Sequence, residues 1–163
     1  MPGLRFSPAT PPELTEVSTW EQFGPPGREH LWSPPTLGVL RPLFVVYLDD
    51  TLVGAVGMGS IDVLSRVGFI ETAVSPRVDD RFELSLVICG NYWTHVCNHL
   101  PLRLGYYQLP LAGARNNLLG AAEDAGFEHQ GDLHRGCYLD GRFVDVGVFR
   151  LVNRPLHDGA VDA

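Results

Sequence analysis

The sequence predicts an α/β or α+β domain in which a mixed sheet carries helices on its faces. Its 163 residues and 17.9 kDa suit one domain of ordinary size and are too few for two, so 1–163 is treated as a single unit. Several segments rich in branched and aromatic residues are typical of strands, and two others repeat apolar residues at spacings of three or four, as helices do. Strands and helices in such an order build a sheet covered by helices.

The first 42 residues contain most of the thirteen prolines, which exclude long regular elements there. A strand near 4–7 and a short helix over 13–23 fit between the prolines, with Thr10 as the helix cap and Pro11 at its first position. Residues 24–40 are predicted to form an ordered loop, because the aromatic residues in and around it need a surface on which to pack.

A β-hairpin is predicted over 43–61, because two β-rich runs flank the tight turn Asp49-Asp50. A third strand follows over 66–74, and Pro76 ends it. Alternation along this strand places Glu71 on one face and its two neighbours on the other. The sequence therefore predicts three consecutive strands, with one acidic side chain on the last of them.

The longest helical pattern begins at Asp79 or Asp80 and continues to His99, with the apolar stripe of a core-facing helix. His95 and His99 lie one turn apart, which is the spacing of a two-histidine metal site. No third ligand is identifiable, and histidines at a helix end are usually solvated partners of the helix dipole. We therefore predict no metal.

Three further elements complete the core predicted over 43–152. They are a strand over 102–109, a helix over 115–125 and a last hairpin that turns at Asp140-Gly141. The remaining residues, 153–163, are predicted to be a disordered tail.

The composition excludes several classes of function. The net charge of −7 comes from 12 basic and 19 acidic residues, and no basic patch is present that could neutralise phosphates, so we expect no nucleic-acid partner. No run approaches the roughly 18 apolar residues that span a bilayer, so we expect no membrane partner. All basic residues are arginine, as is typical of GC-rich bacterial genomes, and this excludes catalysis by lysine.

The three cysteines, Cys89, Cys97 and Cys137, are odd in number and lack CxxC spacing. The N-terminus shows no apolar stretch of the kind that signal peptides contain. We therefore expect a reduced, cytoplasmic protein in which each cysteine is a small core residue.

The C-terminal third carries the most specific pattern. A helix that ends in Glu123-Asp124-Ala125-Gly126-Phe127 leads into a hairpin containing Tyr138-Leu139-Asp140-Gly141. This resembles the end of GNAT-superfamily N-acetyltransferases, most of all the branch that acetylates ribosomal-protein N-termini and aminoglycosides, and the order of elements over 43–150 is similar as well. The resemblance implies a mostly antiparallel sheet of six or seven strands, an acetyl-CoA or other acyl-CoA donor and a small-molecule amine acceptor. A homodimer is compatible with it.

In that family, a glycine-containing loop ahead of the long helix binds the pyrophosphate of CoA through backbone N–H groups. The corresponding stretch here is Arg77-Val78-Asp79-Asp80-Arg81-Phe82, where Asp80 and Phe82 occupy the positions that need small residues. A carboxylate beside a pyrophosphate adds like-charge repulsion, and the phenylalanine removes room. The resemblance therefore implies a nonstandard donor site. Its candidate cofactor-binding residues are Val74, Arg77, Arg81 and Asn116.

Glu71 is the candidate general base, because the family commonly places its base on this strand, facing the acceptor. The alternative is a solvated or arginine-paired glutamate without a catalytic role. Tyr138 is the second candidate catalytic residue, since its hydroxyl could reach a pocket. His30, Trp32 and Tyr107 are candidate substrate-binding residues, and the family resemblance makes 1–42 a lid over the acceptor site. For these aromatic residues, ordinary packing is the alternative.

Three functions stay open at this point. The first is N-acylation of a small amine with an acyl-CoA donor bound in a nonstandard way. The second is an enzyme on the same fold that does not use CoA, such as a cyclase, a lyase or a transferase with a carrier-bound or tRNA-bound donor. The third is a non-catalytic binding protein.

Overall fold

The computed structural model describes residues 3–20, 22–23, 43–96, 99–112 and 115–158. The strands in these ranges are β1 (Leu4–Pro8), β2 (Gln22–Phe23), β3 (Leu43–Leu48), β4 (Thr51–Asp62), β5 (Val67–Val74), β6 (Leu104–Pro110), β7 (Glu128–Leu139) and β8 (Arg142–Val152). The helices are α1 (Pro11–Val17), α2 (Arg81–Val96), α3 (Arg115–Asp124) and α4 (Arg154–Asp158). None of these helices is both long enough and apolar enough to cross a membrane.

One mixed sheet organises the structure. Its strand order is β1-β3-β4-β5-β6-β8-β7, with the two-residue β2 attached to β5. Every neighbouring pair is antiparallel except β5 and β6, which are parallel. The predicted mixed, mostly antiparallel sheet is confirmed.

The parallel strands β5 and β6 separate soon after they meet. They pair only from Val67 to Phe69, opposite Leu104 to Tyr106. Beyond this point β5 pairs on one side with β4 and on the other with β2, whose Phe23 lies opposite Thr72. We call the space between the diverging parts of β5 and β6 the V gap. The short strand β2 occupies part of the β5 edge that faces this gap.

Helices cover both faces of the sheet, as predicted. On one face, called here the α2 face, α2 and α3 pack with Val56, Ile70 and Tyr107 in the larger core cluster. On the other face, the α1 face, α1 packs with Val45 and Ala73 in a smaller cluster. Burying both faces in this way explains why most of β4 and β5 is inaccessible to solvent.

Both predicted hairpin turns are confirmed. Asp49 and Asp50 have φ angles of 46° and 67°, and Asp140 and Gly141 have φ angles of 50° and 80°. Two consecutive positive φ angles are typical of a two-residue turn whose twist matches that of the strands, and aspartate and glycine tolerate this conformation best.

The predicted helix over 13–23 is too long at its C-terminal end. Thr10 caps α1 and Pro11 is its first residue, as expected, but α1 ends at Val17, and residues 22–23 form β2 instead. The hydroxyls of Ser18 and Thr19 donate to backbone carbonyls three residues earlier, at 2.7 Å each. Such bonds compete with the helical pattern and end the helix.

Two other boundaries also differ. The long helix α2 is described over Arg81–Val96, so it begins after the predicted Asp79 or Asp80, and His99, the predicted last residue, lies in a turn. Residues 154–158 form α4, in the segment for which the sequence predicted a disordered tail. Leu156 N–H donates to the carbonyl of Asn153, which also anchors the start of this turn through its own N–H and the carbonyl of Arg103.

Candidate active site

Glu71 is a buried carboxylate in the middle of the sheet. Only 7% of its surface is exposed, although it lies on a strand whose neighbours are mostly apolar. Ala73, two residues further on, belongs to the cluster under α1, so alternation assigns Glu71 to the α1 face. Burial of a carboxylate is costly, and buried acidic groups are therefore concentrated at functional sites.

The carboxylate of Glu71 lies over the backbone of β4. Its Oε1 is 1.9 Å from the point that a Cβ of residue 59 would occupy, and Gly59 leaves that point empty. Gly59 is the extra residue of a β-bulge, since Met58 pairs with Ile70 and Ser60 with Phe69. The bulge and the missing side chain together make room for the carboxylate.

Gln108 is a second polar group on the α1 face. It lies on β6, and its neighbours Tyr107 and Leu109 both belong to the core on the α2 face, so its side chain lies on the opposite face, like that of Glu71. Its Oε1 is buried and has no hydrogen-bond partner among the residues that the structure describes. An acceptor in this condition is costly unless a ligand satisfies it.

The other face of the V gap is closed by a polar contact. The hydroxyls of Thr72 on β5 and Tyr107 on β6 are 2.7 Å apart. Tyr107 is fully buried, and burial raises the pKa of its phenol well above the usual value. The hydroxyl of Ser85 on α2 also bonds to it. Tyr107, a predicted substrate-binding residue, therefore lies in the core on the face opposite Glu71.

The backbone of β5 faces the V gap at Val74. The N–H of Ser75 donates to the carbonyl of Val53 on β4 at 2.9 Å. Because successive residues of a strand direct their backbone groups to opposite edges, the N–H of Val74 points away from β4, towards the V gap. This is the position that the sequence predicted to contact a donor.

The turn between β5 and α2 is occupied by its own hydrogen bonds. The N–H of Arg77 donates to Ser75 Oγ at 3.3 Å, and the N–H of Val78 donates to the carbonyl of Ser75 at 3.1 Å. The carbonyl of Asp80 accepts from Leu84 at the start of α2. The amides of residues 77 and 78 are therefore engaged with Ser75.

Comparison with known proteins gives the same architecture. No protein-family model and no curated protein sequence matches the chain. Among solved structures, a variant of the spermidine/spermine N-acetyltransferase SpeG from Vibrio cholerae matches with a TM-score of 0.70 and 14% identity, covering 96% of this chain and 99% of that chain. A dodecameric structure of the same Vibrio cholerae enzyme matches with a TM-score of 0.65 and 14% identity, over 93% and 95%. The ribosomal L7/L12 N-protein acetyltransferase RimL, in complex with coenzyme A, matches with a TM-score of 0.53 and 13% identity, over 69% and 62%.

This chain has the GNAT fold. The V gap, the single parallel contact and the long helix after β5 are thus parts of a GNAT architecture. At these identities the likeness concerns the fold, and the chemistry depends on the residues of the site.

The GNAT fold implies coenzyme A, and the turn before α2 does not fit its pyrophosphate in the usual way. Asp79 and Asp80 are exposed at the start of α2, and Glu83 follows in its first turn. Of the two nearby arginines, Arg77 is exposed, whereas the guanidinium of Arg81 stacks on the Phe82 ring at 4.9 Å. Three carboxylates beside a helix N-terminus oppose the anion binding that the helix dipole would otherwise favour.

The remaining predicted residues are dispersed. Asn116 is exposed in the first turn of α3. Tyr138 is 64% exposed near the tip of the β7–β8 hairpin, where its ring contacts Phe143 edge to face. The strand order separates β7 from β5 by three spacings, or roughly 14 Å, so the structure does not bring Tyr138 together with Glu71. His30 and Trp32 lie outside the described residues.

His95, in the last turn of α2, and His99, in the turn after it, contact each other, with ring centroids 5.0 Å apart. His95 also packs edge to face on Phe44. Across the described ranges, no group of three or more histidine, cysteine or acidic side chains could hold a metal ion.

Two residues of the site were missed by the sequence reasoning. Gly59 could have been noticed from the Gly57-x-Gly59 spacing, because glycine inside a strand often marks a bulge or a close approach. Gln108 gives no such signal, since nothing in the sequence shows that its acceptor oxygen is buried.

Proposed function

We propose that the protein is an N-acyltransferase that acts on a small amine, with Glu71 as its general base. The single observation that carries this proposal is the buried carboxylate on the α1 face of β5, next to the V gap of a GNAT fold. A base must lie in a protected site within reach of the proton that it removes. The position of Glu71 beside the V gap agrees with that requirement.

The proposed reaction joins an amine to an acyl group carried as a thioester. Glu71 accepts a proton from the acceptor ammonium, and the free amine nitrogen attacks the acyl carbonyl carbon. The carbon–sulfur bond then breaks to release a thiolate, while the nitrogen loses a second proton that reaches the thiolate through solvent, so that the products are an amide and a thiol. The backbone N–H of Val74 is aimed at the V gap, where it can donate to the oxygen on which negative charge develops. Gln108 offers a further acceptor for an N–H of the substrate.

The acceptor is proposed to be a small amine. SpeG, whose structure matches over nearly its whole length, is a spermidine/spermine N-acetyltransferase. On the α1 face, the buried Glu71 and the half-buried Gln108 both present oxygen acceptors. Ammonium groups are rich in donors and carry the charge that a carboxylate attracts.

The donor is proposed to be an acyl-CoA held by the side chains of Arg77 and Arg81 rather than by backbone amides. The acidic groups at the start of α2 favour a second candidate, a thioester donor without a diphosphate, such as an acyl group on a carrier. The two candidates differ in their need for phosphate binding, which the two arginines alone would provide.

The test is acyl transfer by wild type and by Glu71→Gln, with acetyl-CoA and acetyl-pantetheine as donors and spermidine and a panel of smaller primary amines as acceptors. Acetylated product is measured by mass spectrometry. We expect Glu71→Gln to fold normally and to lose about 100-fold or more in kcat, because proton transfer contributes about that much. Unchanged activity in Glu71→Gln would exclude Glu71 as the base, and absence of product with both donors would contradict the proposed function.

A further inference from the structure

We propose that Gly59 is a positioning residue for Glu71, because its missing side chain leaves the space in which the carboxylate of the base lies. This inference rests on the proposed role of Glu71 as the base. It concerns a residue on a different strand, β4, whose lack of a Cβ makes room for the carboxylate of Glu71.

The geometry leaves little freedom. A Cβ at position 59 would lie 1.9 Å from Oε1, 2.4 Å from Cδ and 2.9 Å from Cγ of Glu71. All three distances are below the separation that non-bonded heavy atoms adopt, so any other residue at this position would collide with the carboxylate and with the stem that carries it. Rotation of one terminal bond would not relieve contacts to three atoms.

The backbone around Gly59 makes this arrangement specific. Gly57 lies directly across from Glu71 in the β4–β5 ladder, and Gly59 is the bulged residue that follows Met58. The bulge shifts the register by one residue, so that the carboxylate lies over a position with no partner in the ladder. The carboxylate therefore lies over β4.

A side chain at position 59 would displace the base. In Gly59→Ala, the side chain of Glu71 must move away from its present position over β4. A displacement of about 1 Å in a catalytic group can reduce turnover by about two orders of magnitude. The position of the Glu71 carboxylate thus depends on a glycine on the neighbouring strand.

The first experiment measures stability and needs no substrate. Thermal unfolding is compared for wild type, Gly59→Ala, Glu71→Ala and the double variant. We expect Gly59→Ala to lower Tm by about 5 °C in the presence of Glu71 and to have little effect when residue 71 is alanine. If Gly59→Ala does not fold, folding of the double variant supports the proposal, and failure of both contradicts it. Equal effects of Gly59→Ala in the two backgrounds also overturn it.

The second experiment measures position and turnover. The side-chain carboxyl carbon of Glu71 is followed by NMR with labelled glutamate, assigned by its loss in Glu71→Gln. We expect Gly59→Ala to move this resonance and to lower kcat about tenfold or more with a smaller change in KM. The control is Gly120→Ala on α3, where an added Cβ would contact nothing within 4 Å. It should change neither readout.

A third variant tests for rescue. In Gly59→Ala/Glu71→Asp, the shorter side chain withdraws the carboxylate from the added methyl group, so turnover should exceed that of Gly59→Ala alone. Acyl transfer by wild type that Gly59→Ala leaves unchanged would overturn the role of Gly59 while the proposed function stands. If Gly59→Ala lowers Tm only when Glu71 is present, but the wild type transfers no acyl group, the contact between Gly59 and Glu71 is supported and the proposed function is contradicted.

Discussion

The hydrogen bond between Thr72 and Tyr107 joins β5 to β6 just where their backbones stop pairing. Replacing Thr72 by valine keeps the shape of the side chain and leaves the buried phenol with one partner fewer. We expect Thr72→Val to lower the free energy of unfolding by about 1–2 kcal/mol, because a fully buried phenol loses one of its hydrogen bonds. Urea unfolding of Thr72→Val, Tyr107→Phe and the double variant measures this.

The two substitutions should not be additive, since each removes the same contact. In Thr72→Val the phenol of Tyr107 still has its hydrogen bond to the Ser85 hydroxyl. This remaining bond limits the loss in the free energy of unfolding. An additive result would show that the contact between the two hydroxyls contributes little.

The sequence predicted that Tyr107 lies on a strand. It could not predict that Tyr107 is buried in the core, because that depends on which face of the sheet is covered by helices from elsewhere in the chain.

At the scale of the element, α1 depends on a carboxylate that serves two partners. Glu13 accepts from the N–H and the hydroxyl of Thr10, at 2.7 Å each, and the hydroxyl of Tyr47 on β3 donates to its other oxygen. The bond from Tyr47 is the main reason that the pKa of Glu13 is lowered from its ordinary value of 4.5. The cap of α1 is thereby tied to the sheet.

A lowered pKa in the folded state makes this contribution depend on pH. The stabilisation is fully present above pH 4.5 and is lost as the pH falls through the lower folded value. We expect Tyr47→Phe to lose about 1 kcal/mol at pH 7 and less as the pH falls below 4.5, as measured by urea unfolding across that range. Tyr138→Phe, at an exposed tyrosine, is the control. A constant difference between Tyr47→Phe and wild type at all pH values would contradict the assignment.

Elements specified by local pattern could be predicted, and elements specified by tertiary contact could not. The hairpins, β5 and the core of α2 carry their own turn residues and apolar spacing. The two-residue β2 exists because the V gap leaves an edge of β5 to pair with, and a sequence of two residues carries no such information. The same holds for α4, whose five residues are too few for a periodic pattern.

At the scale of the molecule, the sequence predicted the architecture and the strand on which Glu71 lies, but not the surroundings of its carboxylate. Glu71 could be placed on a strand and a face, because alternation determines both. Its relation to Gly59 could not, because that contact depends on a bulge in the neighbouring strand, and a shift of one residue in register changes every cross-strand neighbour. The distance of Tyr138 from Glu71 could not be predicted either. It follows from the order of the strands in the sheet, which the sequence pattern of each single strand does not specify.

Whole-molecule charge bears on the choice of donor. The net charge of −7 disfavours a polyanion such as acyl-CoA, and the acidic residues at the start of α2 add to this locally. Acyl-pantetheine has the same thioester without the diphosphate and avoids this repulsion. We therefore expect coenzyme A to raise the Tm of the wild type only at millimolar concentration.

Asp80→Gly/Phe82→Gly should bind coenzyme A about fivefold more tightly, because it removes a like charge and restores room for close approach by the backbone. Glycine can still serve as the N-cap of α2, so Asp80→Gly costs the helix only a few tenths of a kcal/mol. Phe82→Gly costs about 1 kcal/mol or more, because glycine disfavours the helix and the partly buried ring is lost from the core. Pantetheine is the control ligand, and its effect on Tm should be the same in both proteins. If coenzyme A stabilises the wild type at micromolar concentration and the double variant no better, the turn before α2 binds the diphosphate as it stands, and the donor without a diphosphate loses its support.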